Sequence, residues 1–334
     1  MLRWLDIAYS YIILLSKKLT ERQLMIVLAV ITGLLAGLGA YAFELLLHGV
    51  KHALVSWFPV DSAGWLYLVY PAAGIILATL FVRYVIKDNI SEGVTRVLYA
   101  MSKGGSRIRP HNCYSSIVGG ATTIGFGGSV GPEAPIVLTG AAIGSNVAQF
   151  MRLNYRSVTL LLSCGAAASL AAIFKAPITG VIFVLEILML DITMAAILPL
   201  IIAAVSAVTL TFFLVGFEPV ISVDVLTYFK LENIPMYIAL GITCGLMAYY
   251  FKSINRKIAA WFSRMPSQWR KWAAGGVILG VLLFIFPPLY GEGYDSFMEL
   301  MKGNTEALFN NSLFYKYRDL NWVVILFLVG TLFF

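Results

Sequence analysis

The chain has 334 residues, 60% of them hydrophobic and 12% charged, with a mean hydropathy of +0.84, which excludes a water-soluble domain and makes lipid the solvent of the fold. Its net charge of +7 would suit nucleic acid if the basic residues shared one soluble face. They fall instead between apolar windows, as topology signals do, so no nucleic-acid partner is expected.

Charge-free windows long enough to cross a bilayer lie at 62–82, 110–132, 157–174, 192–217, 233–251 and 272–291, which one anchor or signal peptide cannot explain. The expected architecture is all-α, a polytopic integral membrane protein. An amphipathic segment over residues 1–20 leads into a long helix over 23–47 and a second span near 62–85. The segment 91–103 is polar enough for a short helix, whereas 117–131 holds six glycines and cannot be a uniform span. Glycine-interrupted apolar backbone at membrane depth is tolerated where it lines a cavity, and broken helices mark substrate sites in transporters. The site is therefore expected near residues 91–135. Two helices with small faces follow, Gly140 to Ser145 and Gly165 to Ser169, which suit close packing in lipid.

An acidic break over 217–231 divides a first repeat, 21–216, from a second, 232–334, which stops inside an apolar run and is expected to be incomplete. Basic residues cluster at Lys17 to Arg22, Arg83 to Arg109, Arg152 to Arg156 and Lys252 to Lys271. The positive-inside rule puts these segments and the amino terminus in the cytoplasm and 217–231 outside. Cys113, Cys164 and Cys244 are odd in number and widely spaced, expected to fill the core rather than pair. His48 and His52 stand four apart without the glutamate of a zinc-protease helix. They are expected at the outer interface, and neither metal nor cofactor is expected.

The stretch from Gly125 to Gly144, GFGGSVGPEAPIVLTGAAIG, sets Glu133 alone between two prolines in a window free of other charge. An ionisable residue there is costly and reads as functional. Pro132 suits a helix start, because its missing N–H has no intrahelical partner in any case. The unpaired N–H groups and positive dipole end then face Glu133, and a buried helix start is an anion site. The carboxylate can occupy that site as a tethered anion until protonation discharges it. The plainer alternative is a capping charge.

Gly131, Pro132, Glu133, Ala134 and Pro135 resemble the second signature of the CLC family of chloride channels and transporters, G-[KR]-E-G-P. The run from Phe174 to Glu186 resembles that family's F-x-A-P-[LI]-x-G-x-x-F-x-x-E stretch, and Gly291 to Tyr294 its G-x-G-Y segment. The resemblance implies an inverted-repeat fold with broken helices meeting at mid-membrane. It also implies transport of chloride or a similar anion, as a channel or in exchange for protons, by a homodimer whose contact uses helices within Pro177 to Gly216. Glu133 takes the role of gate and proton acceptor, with anion contacts at Gly131 and Ala134. The family's first signature, G-S-G-I-P, is poorly matched by Ser91, Glu92, Gly93, Val94 and Thr95. Glu92 falls where a serine contacts the central anion, a shift of one gives Ser91 that role, and the sequence leaves both open.

Ile187 stands where exchangers of this family carry a second glutamate, which leaves Glu186 as a proton relay or a packing charge. A bacterial inner membrane is expected. The rival readings are a non-conducting subunit of the same family, which Glu92 motivates, and an intramembrane enzyme built on Ser129 with His111.

Overall fold

A computed structural model describes residues 20–56, 64–88, 93–188, 194–217, 230–317 and 321–333. Among them every regular element is a helix: α1 (Glu21–Val55), α2 (Tyr70–Leu80), α3 (Gly93–Ser102), α4 (Asn112–Gly125), α5 (Glu133–Phe150), α6 (Tyr155–Phe174), α7 (Pro177–Ile187), α8 (Met194–Val215), α9 (Ile234–Ser263), α10 (Gln268–Ile285), α11 (Tyr294–Met301) and α12 (Asn321–Phe333). Ser91 and Glu92 lie outside the described residues, as does most of the acidic break.

The long first helix has a chemical start. Thr20 Oγ1 accepts from the Gln23 amide at 3.4 Å and Gln23 Oε1 from the Thr20 amide at 3.1 Å, a reciprocal cap that satisfies two donors. The span expected near 62–85 is not one helix. It breaks into a 3-10 turn at Trp65–Leu68, then α2, then a π-helical turn at Phe81–Ile86 closed by left-handed Lys87. Pro71 cannot donate into a preceding turn, so the 3-10 piece and α2 stay separate.

Glycines set the packing. α5 and α6 meet through Gly140 and Gly144 on one side and Gly165 on the other. A Cβ at Gly144 would run into the Leu161 carbonyl, and one at Gly140 into that of Gly165. With backbones this close, Ser169 Oγ reaches the Ile136 carbonyl at 3.1 Å. The expected small-residue faces are this contact, and α6 is buried all round from Leu161 to Ala172. Gly33 and Gly37 of α1 lie against Ala203 and Ala207 of α8, so these two helices run parallel.

The main apolar core draws its buried residues from Ala29 to Val208 only. Beyond it, α10 packs on α2 through Gly276 and Ala72, and α12 builds a small aromatic cluster around Phe309 and Phe327. None of the residues of α9 is buried. The cysteine expectation needs correcting there: Cys164 is buried and Cys113 half-buried, but Cys244 is exposed on α9. A periodic apolar helix looks alike in sequence whether protein or lipid covers it.

Candidate functional site

The end of α4 is held by a residue far along the chain. Tyr290 Oη donates to the Gly125 carbonyl at 2.6 Å, and Gly127, at φ +94°, leaves room for Leu283 and Tyr290, since a Cβ there would come within 2.8 Å of Leu283. The chain then runs through Ser129 to Gly131, which are exposed, to buried Pro132, and α5 begins at Glu133. Among the described residues no side chain caps this start. Pro132 and Pro135 have no N–H, so the amides of Glu133 and Ala134 are what the first turn can offer an anion.

The Glu133 side chain folds back over Gly131, where a Cβ would overlap Oε2. Tyr294 Oη donates to Glu133 Oε1 at 3.1 Å, and Phe174 sets its ring edge-on to Tyr294 with centroids 6.1 Å apart. The three separate stretches singled out in the sequence, around Glu133, Phe174 and Tyr294, therefore converge on one carboxylate.

Two cavities flank this stretch, one lined by Pro132 and Tyr294 and the other by Gly131 and Ala134. The outer, of about 130 Å³, is lined by Pro132, Phe174 and Tyr294 with the titratable side chains of Glu44, His48, Lys51, Glu292 and Asp295. Lys51 pairs with Asp295, and His48 Nε2 lies 3.9 Å from Glu44. Glu292 sits in the turn between α10 and α11, outside the long spans. Burial pushes its carboxyl up to about 7, opposed by Lys51 and reinforced by Asp295, Glu133 and Glu44. The inner cavity, of about 460 Å³, is mostly apolar and includes Gly93, Gly131, Ala134, Ser116 and Thr123 in its walls.

The start of α3 meets the start of α5 in this inner cavity. Gly93, at φ +38°, sits where a Cβ would come within 2.9 Å of the Ala134 Cβ. Of the residues expected to hold an anion, Gly93, Gly131 and Ala134 thus share one cavity, while the Val94 side chain packs against the main core. Asp88 forms a clasp with α3 and the stretch before α4: its Oδ2 accepts from Arg96 Nη2 at 2.6 Å and Arg109 Nη1 at 3.3 Å and lies 3.0 Å from His111 Nε2. Sequence reading passed over this clasp because its members are spread from residue 88 to 111.

Glu186 is exposed near the end of α7, and among the described residues no hydrogen bond or ion pair joins it to Glu133. His111, the base required by the enzyme reading, is engaged by Asp88 and by Ser115 at 3.3 Å, while Ser129 is exposed on the loop beyond α4.

The fold and site together are those of a polytopic helical membrane protein in which two helix starts meet beside a half-buried carboxylate. Residues 73–334 match the family model described as voltage gated chloride channel, and the chain belongs to that family. It is 28% identical over 237 residues to a putative chloride channel protein, ClcB-like, of Ralstonia nicotianae, covering 69% of this chain and 55% of that protein. It is 28% identical over 294 residues to the H(+)/Cl(-) exchange transporter ClcA of Vibrio vulnificus, covering 83% and 62%. The chain thus spans less than two thirds of either relative's length.

Among solved structures, a slow cyanobacterial Cl-/H+ antiporter superposes with a TM-score of 0.71 at 24% identity, over 84% of this chain and 68% of that one. A CLC-type fluoride/proton antiporter superposes with a TM-score of 0.66 at 25% identity, over 94% and 77%. These relatives are named as channels and exchangers, and the intramembrane-enzyme reading is set aside.

Proposed function

We propose that the full-length protein carries chloride or a similar small monovalent anion across a membrane, with Glu133 as its gate. The observation that carries this reading is the Glu133 side chain, folded over Gly131 and bonded by Tyr294 at a helix start whose flanking residues line both cavities and which, among the described residues, no side chain caps. The carboxylate occupies the place of an anion, and Tyr294 holds it there through Oε1. Protonation discharges the side chain, which then releases the helix start to a mobile anion held by the starts of α3 and α5 near Gly93, Val94, Gly131 and Ala134. Whether Ser91 or Glu92 also faces that anion belongs to the segment outside the described residues.

Proton coupling would need a second acceptor toward the cytoplasm. Ile187 cannot serve, and Glu186, exposed one residue earlier, is the nearest carboxylate on that helix. The protein is proposed to act as a homodimer in a bacterial inner membrane. The exposed Ile178, Ile182, Ile201 and Val205 of α7 and α8 supply an apolar face for the partner, and the mass of the purified protein corrected for detergent checks this.

Proteoliposomes loaded with chloride, with internal pH followed, test the reading. Chloride flux by the wild-type protein that responds to pH, and loses that response in Glu133→Gln, is the expected outcome. Proton movement coupled to chloride would make it an exchanger, and chloride flux alone a channel. Absence of flux in reconstituted wild-type protein would refute transport and leave the non-conducting subunit.

A further inference from the structure

Three hydroxyl side chains line the inner cavity: Thr79, Ser116 and Thr123. Two of them are spent on carbonyls of their own helices. Thr79 Oγ1 donates to the Ile75 carbonyl at 2.6 Å, and Thr123 Oγ1 to the Gly119 carbonyl at 2.8 Å. Ser116 differs. It is 3% exposed, and among the described residues its Oγ has no hydrogen-bond partner.

A buried hydroxyl left unpaired costs stability, and helical serines and threonines usually escape that cost by bonding the carbonyl four residues back. Thr122 and Thr123 on the same helix do so, and neighbouring Ser115 has His111 as partner. Ser116 lines a cavity whose other side is the start of α5. That start is short of donors, because Pro132 and Pro135 have no N–H and no side chain caps it. Among the described residues, no lysine or arginine lines the cavity. An anion there would be held by a few backbone amides, and one more donor within the same walls stands idle.

We propose that the Ser116 hydroxyl is the side-chain donor to the anion bound between the starts of α3 and α5. The proposal rests on the reading that this cavity holds an anion, and it adds which side chain coordinates it. A hydroxyl bonded to an anion is charge-assisted, stronger than its bond to a neutral carbonyl. The donor set carries no full positive charge, which suits a small monovalent halide better than a divalent anion. Ser116 also offsets one of the two donors that the prolines remove from the helix start.

Isothermal titration of chloride into the detergent-solubilised full-length protein tests this, with the wild type, Ser116→Ala and Ser116→Thr. Losing one hydrogen bond to a charged partner is expected to weaken chloride binding by about tenfold or more in Ser116→Ala, while Ser116→Thr, which keeps the hydroxyl, stays close to the wild type. Without chloride, Ser116→Ala should melt no lower than the wild type, because it removes an unpaired polar group. Its stabilisation by added chloride should shrink.

An alanine variant that binds chloride as tightly as the wild type would overturn the role of Ser116 and leave the anion site standing. A wild-type protein that binds no chloride would overturn both. Anomalous diffraction from bromide in wild-type crystals gives a measure independent of any variant. A peak against Ser116 Oγ supports the assignment, and a peak at the helix starts but away from Ser116 refutes it.

Discussion

Glu133 was legible at the residue scale because its cost is written locally: a single carboxylate between two prolines in a charge-free window has few explanations. Its partner was not, since Tyr294 stands 161 positions away and only the fold brings the phenol to Oε1. Glu292 was likewise just a member of a motif until the fold buried it beside Asp295, Glu133 and Glu44 with Lys51 opposing them.

Its raised value, about 7 against an ordinary 4.5, carries a prediction. The folded protein holds this proton more tightly than the unfolded chain does. The neutral carboxyl's stabilising contribution is therefore complete below about 4.5 and is lost as pH rises through about 7. Melting curves from about pH 5 to about pH 8 should show the wild type losing stability relative to Glu292→Gln, which cannot ionise. Curves that stay parallel across that range would mean the Glu292 carboxyl titrates in its ordinary range.

For whole elements, composition located the spans well and their interiors poorly. The windows at 157–174 and 192–217 became α6 and α8 with little change, because uniform apolar sequence in lipid can satisfy its backbone only as helix. The window at 62–82 broke into 3-10, α and π pieces, because helix type there depends on packing against α10 and α4 rather than on hydropathy. Glycine shows the same limit, since its purpose at each position is decided by the neighbour.

At Gly144 the neighbour is the Leu161 carbonyl, and the Leu162 Cα would lie 3.1 Å from an added Cβ. At Gly245 of α9 an added Cβ meets nothing within 4 Å. Gly144→Leu must push α5 and α6 apart, which typically costs about 1–3 kcal/mol or more where backbones touch. The Glu133 end of α5 shifts with it. Gly245→Ala is expected to be neutral or to stabilise by up to about 1 kcal/mol through helix propensity. Thermal unfolding of the two variants in detergent checks the contrast, and comparable losses in both would show that the α5–α6 contact is looser than described.

The described charged residues at the two ends of α1 differ in kind. α1 begins where Leu24, Met25 and Leu28 pack with Met151, Leu153 and Val158, close to the small cavity lined by Arg107 and Arg152. It finishes where His48 and Lys51 line the outer cavity with Glu292 and Asp295. α8 runs parallel to it and reaches the same far end, where the Gly216 carbonyl accepts from Lys175 Nζ at 3.3 Å. The acidic segment 217–231 therefore leaves from the end that holds the outer cavity, and the basic connections between α3 and α4 and between α5 and α6 share the opposite one. Sequence alone grouped these segments by charge, but only the parallel pairing of α1 with α8 shows that the grouping is spatial.

We propose, by the positive-inside rule, that the arginine end faces the cytoplasm and that Glu133 is reached from outside through the acidic mouth. In intact cells, with Cys244 replaced by serine, a membrane-impermeant maleimide is expected to label His48→Cys directly. Lys103→Cys should be labelled only after the membrane is opened. The reverse pattern would invert the protein and put the Glu133 mouth on the cytoplasmic side. Labelling of both from the same side would contradict the end-to-end run of α1 itself, because His48 and the turn after α3 could then not lie across the membrane from one another.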